Sequence, residues 1–138
     1  MEKPGSNLRK RHQGDGQTIL LVEDDPDVRA FVAAALHSLG YRITEAGDGE
    51  TALQILASDP DIALLFSDIA LAGGMSGMQL AKLARKRRPT LKLLLMSGNM
   101  PDLSGTEHEF GADFWTLLKP FRVAELGAKL DLVFPIVS

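Results

Sequence analysis

Short apolar runs alternate along the chain with longer stretches in which apolar residues recur every three or four positions. The runs are TILLV, YRITEA, IALLFSD, LKLLLMS and FWTLL, at residues 18–22, 41–46, 62–68, 91–97 and 114–118. Runs of this length predict five β-strands. The middle runs are apolar throughout, which is typical of strands that are covered on both faces of a sheet.

The stretches between and after these runs predict α-helices. Helical spacing extends over residues 27–40, 49–58, 76–88 and 122–134, whereas residues 102–111, with a glycine and few apolar positions, are the least helical. In the first stretch one apolar stripe contains Val28, Phe31, Val32, Ala35, Leu36 and Leu39, and Gly40 is placed to end the helix. The strict alternation of strands and helices predicts an α/β fold, a doubly wound parallel sheet with helices on both faces.

Acidic residues stand at the ends of two predicted strands. Glu23 and Asp24 follow the first strand, and Asp68 ends the third. In doubly wound sheets, ligands bind at the carboxyl ends of the strands where the strand order reverses. If these two strands are neighbours, three carboxylates converge there, and like charges beside an apolar core need a compensating cation. Asp25 has a different explanation, because it precedes Pro26 and is placed to cap the first helix.

The chemistry of this cluster favours a hard divalent ion. Carboxylate oxygens suit Mg²⁺, or Mn²⁺, better than Zn²⁺, since the chain has no cysteine and no histidine lies at these strand ends. The fourth and fifth strands end in Ser97 and Lys119, within MSGN and LLKPF. Each of these residues alone is ordinary, one in a turn and the other at a surface. Together with carboxylates and a metal ion, a hydroxyl and an ammonium can hold a phosphoryl group.

Four blocks of the sequence, taken together, resemble a known family. ILLVEDDPDVR, SDIALAGGMSG, LLLMSGN and LLKPF are similar, in order and spacing, to the signature blocks of the response-regulator receiver domain of two-component signalling, over residues 18 to about 134. The resemblance implies the flavodoxin-like strand order 2-1-3-4-5. It also implies that the chain is not an enzyme acting on other substrates, since a receiver catalyses only its own phosphorylation and dephosphorylation. The partners that it implies are a histidine kinase or a histidine phosphotransfer protein, and a downstream protein that the sequence does not name.

The same resemblance assigns a role to each candidate site residue. Asp68 would be the phospho-acceptor and a magnesium ligand, Asp24 a direct magnesium ligand, Glu23 a ligand through water, the Ala70 backbone carbonyl a third protein ligand, Ser97 the switch hydroxyl and Lys119 the partner of the phosphoryl group. The Lys119–Pro120 peptide bond is expected to be cis.

The sequence departs from the family pattern in two places. Ala72 stands where family members usually carry a proline, and the loop has one extra residue before Gly77, so we expect a more flexible loop. Thr116 stands where the family tends to have an aromatic residue. Because the approach to Lys119 looks one residue longer than usual, a bulge would place Trp115, next to Phe114, in the aromatic role.

Three alternatives stay open beside the receiver hypothesis. Gly47-x-Gly49-x-x-Ala52, about 20 residues before Asp68, fits a dinucleotide-binding fingerprint, although Asp48 and Glu50 would repel a pyrophosphate. A haloacid-dehalogenase-type phosphatase would need a second acid where this chain has Ala70. A degenerate receiver would serve only as a protein-binding module.

Length and composition favour one domain and exclude several functions. The 138 residues predict a receiver domain at 18–138 after a polar, basic tail at 1–17 that we expect to be disordered. A net charge of −3 gives no reason to expect nucleic acid or membrane binding, and the lack of cysteine excludes disulfides.

No apolar run approaches the roughly 20 residues of a membrane helix, and no secretory signal precedes the first strand, so we expect a cytoplasmic protein. Because only PIVS follows the last predicted helix, we expect either a stand-alone receiver or one excised from a hybrid kinase or regulator. Such a receiver would be a monomer or a weak homodimer.

Overall fold

The computed structural model describes residues 14–104 and 109–135, in which strands and helices alternate. In chain order the elements are β1 (Thr18–Val22), α1 (Pro26–Ser38), β2 (Arg42–Ala46), α2 (Gly49–Ser58), β3 (Ile62–Asp68), α3 (Gly77–Arg87), β4 (Lys92–Ser97), β5 (Phe114–Leu118) and α4 (Val123–Val133). The least helical stretch, 102–111, lies partly outside the described residues. No helix in the described ranges is long and apolar enough to cross a membrane.

The five strands form one parallel sheet in the order β2-β1-β3-β4-β5, which confirms the predicted order. β1 lies between β2 and β3, so that Val22 pairs with Ala46 on one side and with Ser67 on the other. At the same edge Asp68 pairs with Met96, and Ser97 pairs with Leu118. The carboxyl ends of β1, β3, β4 and β5 therefore meet along one rim.

The predicted strands are confirmed, with small differences at two starts. β1, β3 and β5 have the predicted bounds, whereas Tyr41 and Leu91 precede β2 and β4. Both residues are buried, and the Tyr41 ring lies 5.8 Å from that of Phe134. Tyr41 and Leu91 are therefore apolar because they are buried next to the strands, although they are not part of the strand pairing.

The sheet is covered on both faces, as its apolar strands predict. On one face, Leu21, Phe66 and Leu94 pack with residues of α1 and α4 such as Leu36 and Leu126. On the other face, side chains from the alternate strand positions pack with α2 and α3; they include Leu20, Leu65, Leu95, Leu53 and Leu80. This two-layer core holds the rim in place.

The stripe predicted for α1 is correct except at Phe31. Val32, Ala35 and Leu36 are buried, whereas Phe31 is 57% exposed. Successive helical residues point about 100° apart, so Phe31 lies at the edge of a stripe that is centred on Val32. The helix ends before Gly40, whose φ of +95° is the left-handed conformation expected after a helix.

The helix starts agree with their capping residues. Asp25 accepts hydrogen bonds from the N–H groups of Asp27 and Val28, which confirms its predicted role as the N-cap of α1.

Of the predicted tail, 1–17, the structure describes residues 14–17. Gly14 and Gly16 donate hydrogen bonds to the carbonyls of Leu39 and Gly40. The disorder predicted for residues 1–13 lies outside the described residues.

Candidate functional site

Asp68 is the last residue of β3 and lies almost entirely inside the protein, with 5% of its surface exposed. Its Oδ2 atom is 2.5 Å from Nζ of Lys119, and its Oδ1 atom accepts a hydrogen bond of 2.9 Å from the N–H of Ala70. Both carboxylate oxygens are therefore oriented at the rim by fixed partners.

Lys119 joins the ends of three strands. Its N–H donates to the Ser97 carbonyl at 2.8 Å, and its Nζ lies 3.3 Å from Oε1 of Glu23 as well as close to Asp68. Burial lowers the pKa of Lys119, but the hydrogen bond and charge of Asp68, followed by those of Glu23, outweigh it, so the pKa is raised overall. The ammonium therefore stays charged. The Lys119–Pro120 peptide bond is cis, as expected.

Glu23 is the more deeply buried member of the acidic pair, with 2% of its surface exposed. Its Oε2 atom accepts a hydrogen bond of 3.1 Å from the N–H of Asp25. Burial raises the pKa of Glu23, the Asp25 hydrogen bond opposes this, and the charge of Asp68 raises the pKa further. The ionised form of Glu23 is thus disfavoured in the folded chain.

Asp24 is only half-buried and faces the loop that follows β3. Its Oδ2 atom accepts a hydrogen bond of 2.9 Å from the N–H of Ala72, and this bond is the main reason that the pKa of Asp24 is lowered. Sequence reasoning missed this contact. Its only signal was the substitution itself, because alanine provides an N–H that a proline at position 72 would lack.

The loop between β3 and α3 is anchored at further points. A Cβ at Gly49 would lie 2.7 Å from Sδ of Met75, so these two residues pack closely. The Gly77 N–H donates to the Ile69 carbonyl at 2.8 Å, and Ser76 and Gln79 form a reciprocal capping box at the start of α3. These contacts and the bond between Ala72 and Asp24 attach the loop to the rim and to the start of α3. The greater flexibility predicted for this loop stays a prediction.

Ser97 lies at the rim, where it was predicted, but its hydroxyl faces its own turn. It is buried, and Oγ donates to the carbonyl of Asn99 and accepts from the N–H of Asn99, both at 3.2 Å. Among the described hydrogen bonds, none joins Ser97 Oγ to Asp68. Ala70, whose carbonyl was predicted to be a metal ligand, donates its N–H to Asp68 Oδ1.

The donor atoms at the rim fit a hard divalent ion by their chemistry. Asp24, Glu23 and Asp68 offer carboxylate oxygens, Ala70 offers a carbonyl oxygen, and the chain has no cysteine. Within residues 14–104 and 109–135, no three acidic or histidine side chains are grouped closely enough to hold a metal ion in their present positions. The ammonium of Lys119 lies between two of the carboxylates instead.

The prediction that a bulge in β5 gives Trp115 the aromatic role is wrong. The pairing of β4 with β5 runs without interruption from Leu93 and Phe114 to Ser97 and Leu118. Trp115 packs against the core on the α1 and α4 side, and Nζ of Lys92 lies 5.6 Å from its ring centroid. Thr116 therefore points to the opposite face, since successive strand residues alternate.

The glycines of the dinucleotide-like fingerprint accommodate side chains of this chain. Gly49 packs against Met75, and a Cβ at Gly47 would lie 3.3 Å from Nη1 of Arg29. Asp48 caps α2 by accepting a hydrogen bond of 2.7 Å from the N–H of Thr51. Close packing and helix capping explain these residues without a nucleotide.

Comparison with known sequences identifies the family. Residues 19–131 match the family described as the response regulator receiver domain. The response regulator receiver protein CpdR of Brucella abortus is 34% identical over 113 residues, which are 82% of this chain and 92% of CpdR. The sensor kinase CckA of the same organism is 34% identical over 110 residues, which are 79% of this chain but 12% of CckA.

A solved structure agrees with these matches. The response regulator protein TrrA of Thermotoga maritima, in complex with Mg²⁺ and BeF, has a TM-score of 0.73 and 29% identity, over 86% of this chain and 99% of that chain. Phosphorylation and magnesium binding are characteristic of receiver domains, which act in signalling with histidine kinases. Because the family match spans most of the sequence and the strand order agrees with it, the chain belongs to the response regulator receiver domain family of two-component systems.

Proposed function

We propose that the chain accepts a phosphoryl group on Asp68 from the phosphohistidine of a histidine kinase or histidine phosphotransfer protein. The reaction depends on magnesium and changes a surface that a downstream protein binds. The observation that carries this proposal is the buried carboxylate of Asp68, 2.5 Å from the ammonium of Lys119 at the carboxyl edge of the sheet. An isolated surface aspartate would have no such fixed cationic partner.

Each residue of the rim has a separate role in the proposed phosphoryl transfer. A carboxylate oxygen of Asp68 forms a bond to phosphorus while the phosphorus–nitrogen bond breaks, and the electron pair of that bond leaves with the histidine, which then takes up a proton. The Lys119 ammonium holds the Asp68 carboxylate at the rim and offsets the charge of the incoming oxygens. Magnesium, when bound, supplies further positive charge to those oxygens. Asp24, Asp68 and the Ala70 carbonyl would hold it directly, and Glu23 would hold it through water.

The Ser97 turn would carry the signal away from the site. In the described structure its hydroxyl exchanges hydrogen bonds with the backbone of Asn99. A phosphoryl oxygen on Asp68 is a stronger acceptor than a carbonyl, so it would draw the hydroxyl away from Asn99. The turn after β4 then shifts, and the population of the partner-binding surface shifts with it.

The complete set of rim groups favours this function over a degenerate receiver that only binds proteins. An acceptor, an acidic pair, a hydroxyl and a lysine are all present, and the acceptor and lysine are in direct contact. The proposal holds both for a small receiver protein similar to CpdR and for a receiver within a longer sensor kinase such as CckA.

Labelling with acetyl phosphate tests the proposal. In the presence of MgCl₂ we expect the wild-type chain to gain the mass of one phosphoryl group, and we expect Asp68→Asn to gain none. Asp25→Asn is the matched control, because it changes a nearby acid while asparagine still caps α1. Labelling of the Asp68→Asn chain, or no labelling of the wild type by acetyl phosphate or by phosphorylated kinases, would contradict the proposal.

A further inference from the structure

Arg29, in the first turns of α1, contacts the backbone of Glu23, yet neither the sequence motifs nor the proposed reaction assigns it a role. Its Nη1 atom donates a hydrogen bond of 2.8 Å to the backbone carbonyl of Glu23. Its Nε atom lies 3.3 Å from Oε1 of Glu45 on β2. The guanidinium therefore connects the segment after β1 with the neighbouring strand, and only a quarter of the side chain is exposed.

The Glu23 carbonyl needs this donor because the strand ladder stops beside it. The N–H of Glu23 still donates to Ala46, the last residue of β2, at 3.1 Å. The carbonyl of Glu23 lies beyond that last pair, and a buried carbonyl without a donor is costly. Gly47 leaves the space through which the guanidinium reaches it, since a Cβ there would lie 3.3 Å from Nη1.

The hydrogen bond from Arg29 acts on Asp24 through the geometry of the backbone. The Glu23 carbonyl belongs to the peptide unit that ends at the Cα of Asp24, and a peptide unit is planar. Fixing the carbonyl oxygen on one side and the Glu23 N–H on the other leaves the Asp24 Cα little freedom to turn. The Asp24 carboxylate, held from the far side by Ala72, is then presented to the rim.

We propose that Arg29 is a positioning residue for the metal site, which fixes the backbone of the acidic pair through the Glu23 carbonyl. This inference rests on the proposed function, because it concerns the same magnesium site. Groups that orient metal ligands in this indirect way typically change metal affinity about 10-fold to 100-fold when they are removed.

Magnesium titration of the purified chain by calorimetry tests the role of Arg29. We expect Arg29→Gln to weaken Mg²⁺ binding about 10-fold, and Arg29→Lys, which keeps one donor, to recover part of the affinity. Glu45→Gln is the matched control, since it removes the half-exposed ion pair but leaves the bond to Glu23; we expect a change of less than about 3-fold. Gly47→Ala, which crowds Nη1 without changing any charge, should also weaken binding.

Labelling by acetyl phosphate at varied Mg²⁺ separates positioning from a direct role in the reaction. With Arg29→Gln we expect slower labelling at low Mg²⁺ and the wild-type rate at saturating Mg²⁺. If Arg29→Gln binds Mg²⁺ as tightly as the wild type does, and the wild type is labelled normally, the inference about Arg29 is overturned but the proposed function is not. A wild type that neither binds Mg²⁺ nor becomes labelled would overturn the proposed function as well. If Arg29→Gln does not fold, Arg29→Lys and Gly47→Ala decide, and unchanged affinity in both overturns the inference.

Discussion

Gly77 begins α3 directly behind Asp68, where its missing side chain lets two backbone segments touch. A Cβ at this position would overlap the carbonyl oxygen of Asp68 and lie 2.8 Å from the carbonyl carbon. The φ of Gly77 is not left-handed, so the requirement is for space rather than for an unusual backbone conformation. A single hydrogen atom thus decides how closely α3 can approach the candidate phospho-acceptor.

Substitution of Gly77 should therefore affect both stability and labelling. Gly77→Ala forces β3 and α3 apart, and we expect it to lower the free energy of unfolding by about 1–3 kcal/mol, as overpacking does. We also expect slower labelling of Asp68 by acetyl phosphate. Gly98→Ala is the control, because a Cβ there meets nothing within 4 Å. Equal urea unfolding of Gly77→Ala and wild type would show that the backbone can relax around the methyl group.

The raised pKa of Glu23 predicts how one buried carboxyl contributes to stability at different pH. A carboxyl whose pKa is higher in the folded state than in the unfolded state stabilises the fold below its unfolded pKa. That contribution is lost as pH rises through the folded pKa. Neutral glutamine at position 23 imitates the protonated form, so Glu23→Gln should raise the free energy of unfolding at neutral pH.

The gain from Glu23→Gln should shrink as pH falls towards the ordinary glutamate pKa of about 4.3. Urea unfolding of the wild type and of Glu23→Gln at several pH values measures the difference. Carboxyls that do not interact with position 23 contribute equally in both chains and cancel. A gain that grows at low pH would mean that the ionised form of Glu23 is the favoured one, and that Lys119 outweighs burial.

At the scale of elements, Arg88 connects the ends of two helices and a strand. Its guanidinium donates to the carbonyls of Leu56 at the end of α2, at 2.7 Å, and of Ile62 at the start of β3, at 3.1 Å. It also donates to the carbonyl of Asp59. Because α2 and α3 cover the same face of the sheet, this one side chain connects the C-terminal ends of both helices, on the side of the sheet opposite the rim.

Loss of Arg88 should destabilise the fold without directly affecting the site. Arg88→Ala leaves partly buried carbonyls without a donor, and we expect the free energy of unfolding to fall by about 2–3 kcal/mol. Arg87→Ala, which removes an exposed charge from the last turn of α3, should change it by less than about 0.5 kcal/mol. Urea unfolding of the two variants measures the contrast. Similar values for both would mean that water replaces the guanidinium at these carbonyls.

At the scale of the whole molecule, an apolar groove lies next to the rim. It has a volume of about 510 Å³ and is lined by α1 residues, including Val28 and Phe31, and by Lys119, Pro120 and Phe121. If a histidine donates a phosphoryl group to Asp68 as proposed, this groove is a candidate surface for the donor protein, since Lys119 belongs to both the groove and the site. The exposed ring of Phe31 would then be available to contact the donor protein.

Phosphotransfer should depend on this groove only when the donor is a protein. We expect Phe31→Ala to slow transfer about 10-fold from the kinase that labels the wild type fastest, since a buried aromatic contact is worth upwards of 1 kcal/mol at an interface. Labelling by acetyl phosphate should stay unchanged. Leu132→Ala is the control, because Leu132 is equally exposed, at 58% against 57%, but lies near the end of α4. If Phe31→Ala and Leu132→Ala slow phosphotransfer from the kinase equally, the groove is not the specific kinase contact.

The sequence predicted the strands and the rim because each depends on local pattern and on simple rules of topology. Apolar runs define β3 and β5, and parallel strands bring their ends together, so Asp68 and Lys119 were expected to meet. The exposure of Phe31 could not be predicted, since the edge of a helical stripe depends on which neighbours cover it. The contact of Arg29 depends on a backbone carbonyl, which every residue type carries, and the contact of Ala72 was signalled only by the absence of a proline there.

The contact of Lys119 with Glu23 and Asp68 also limits the stoichiometry of the proposed metal site. In the metal-bound state, in which Glu23, Asp24 and Asp68 would all be ionised as ligands, the three carboxylates and the single ammonium carry a net charge of minus two. One divalent ion would bring this group to neutrality, and a second would meet an excess of positive charge without a counterion. The proposed site therefore has electrostatic capacity for a single Mg²⁺ per chain before phosphorylation.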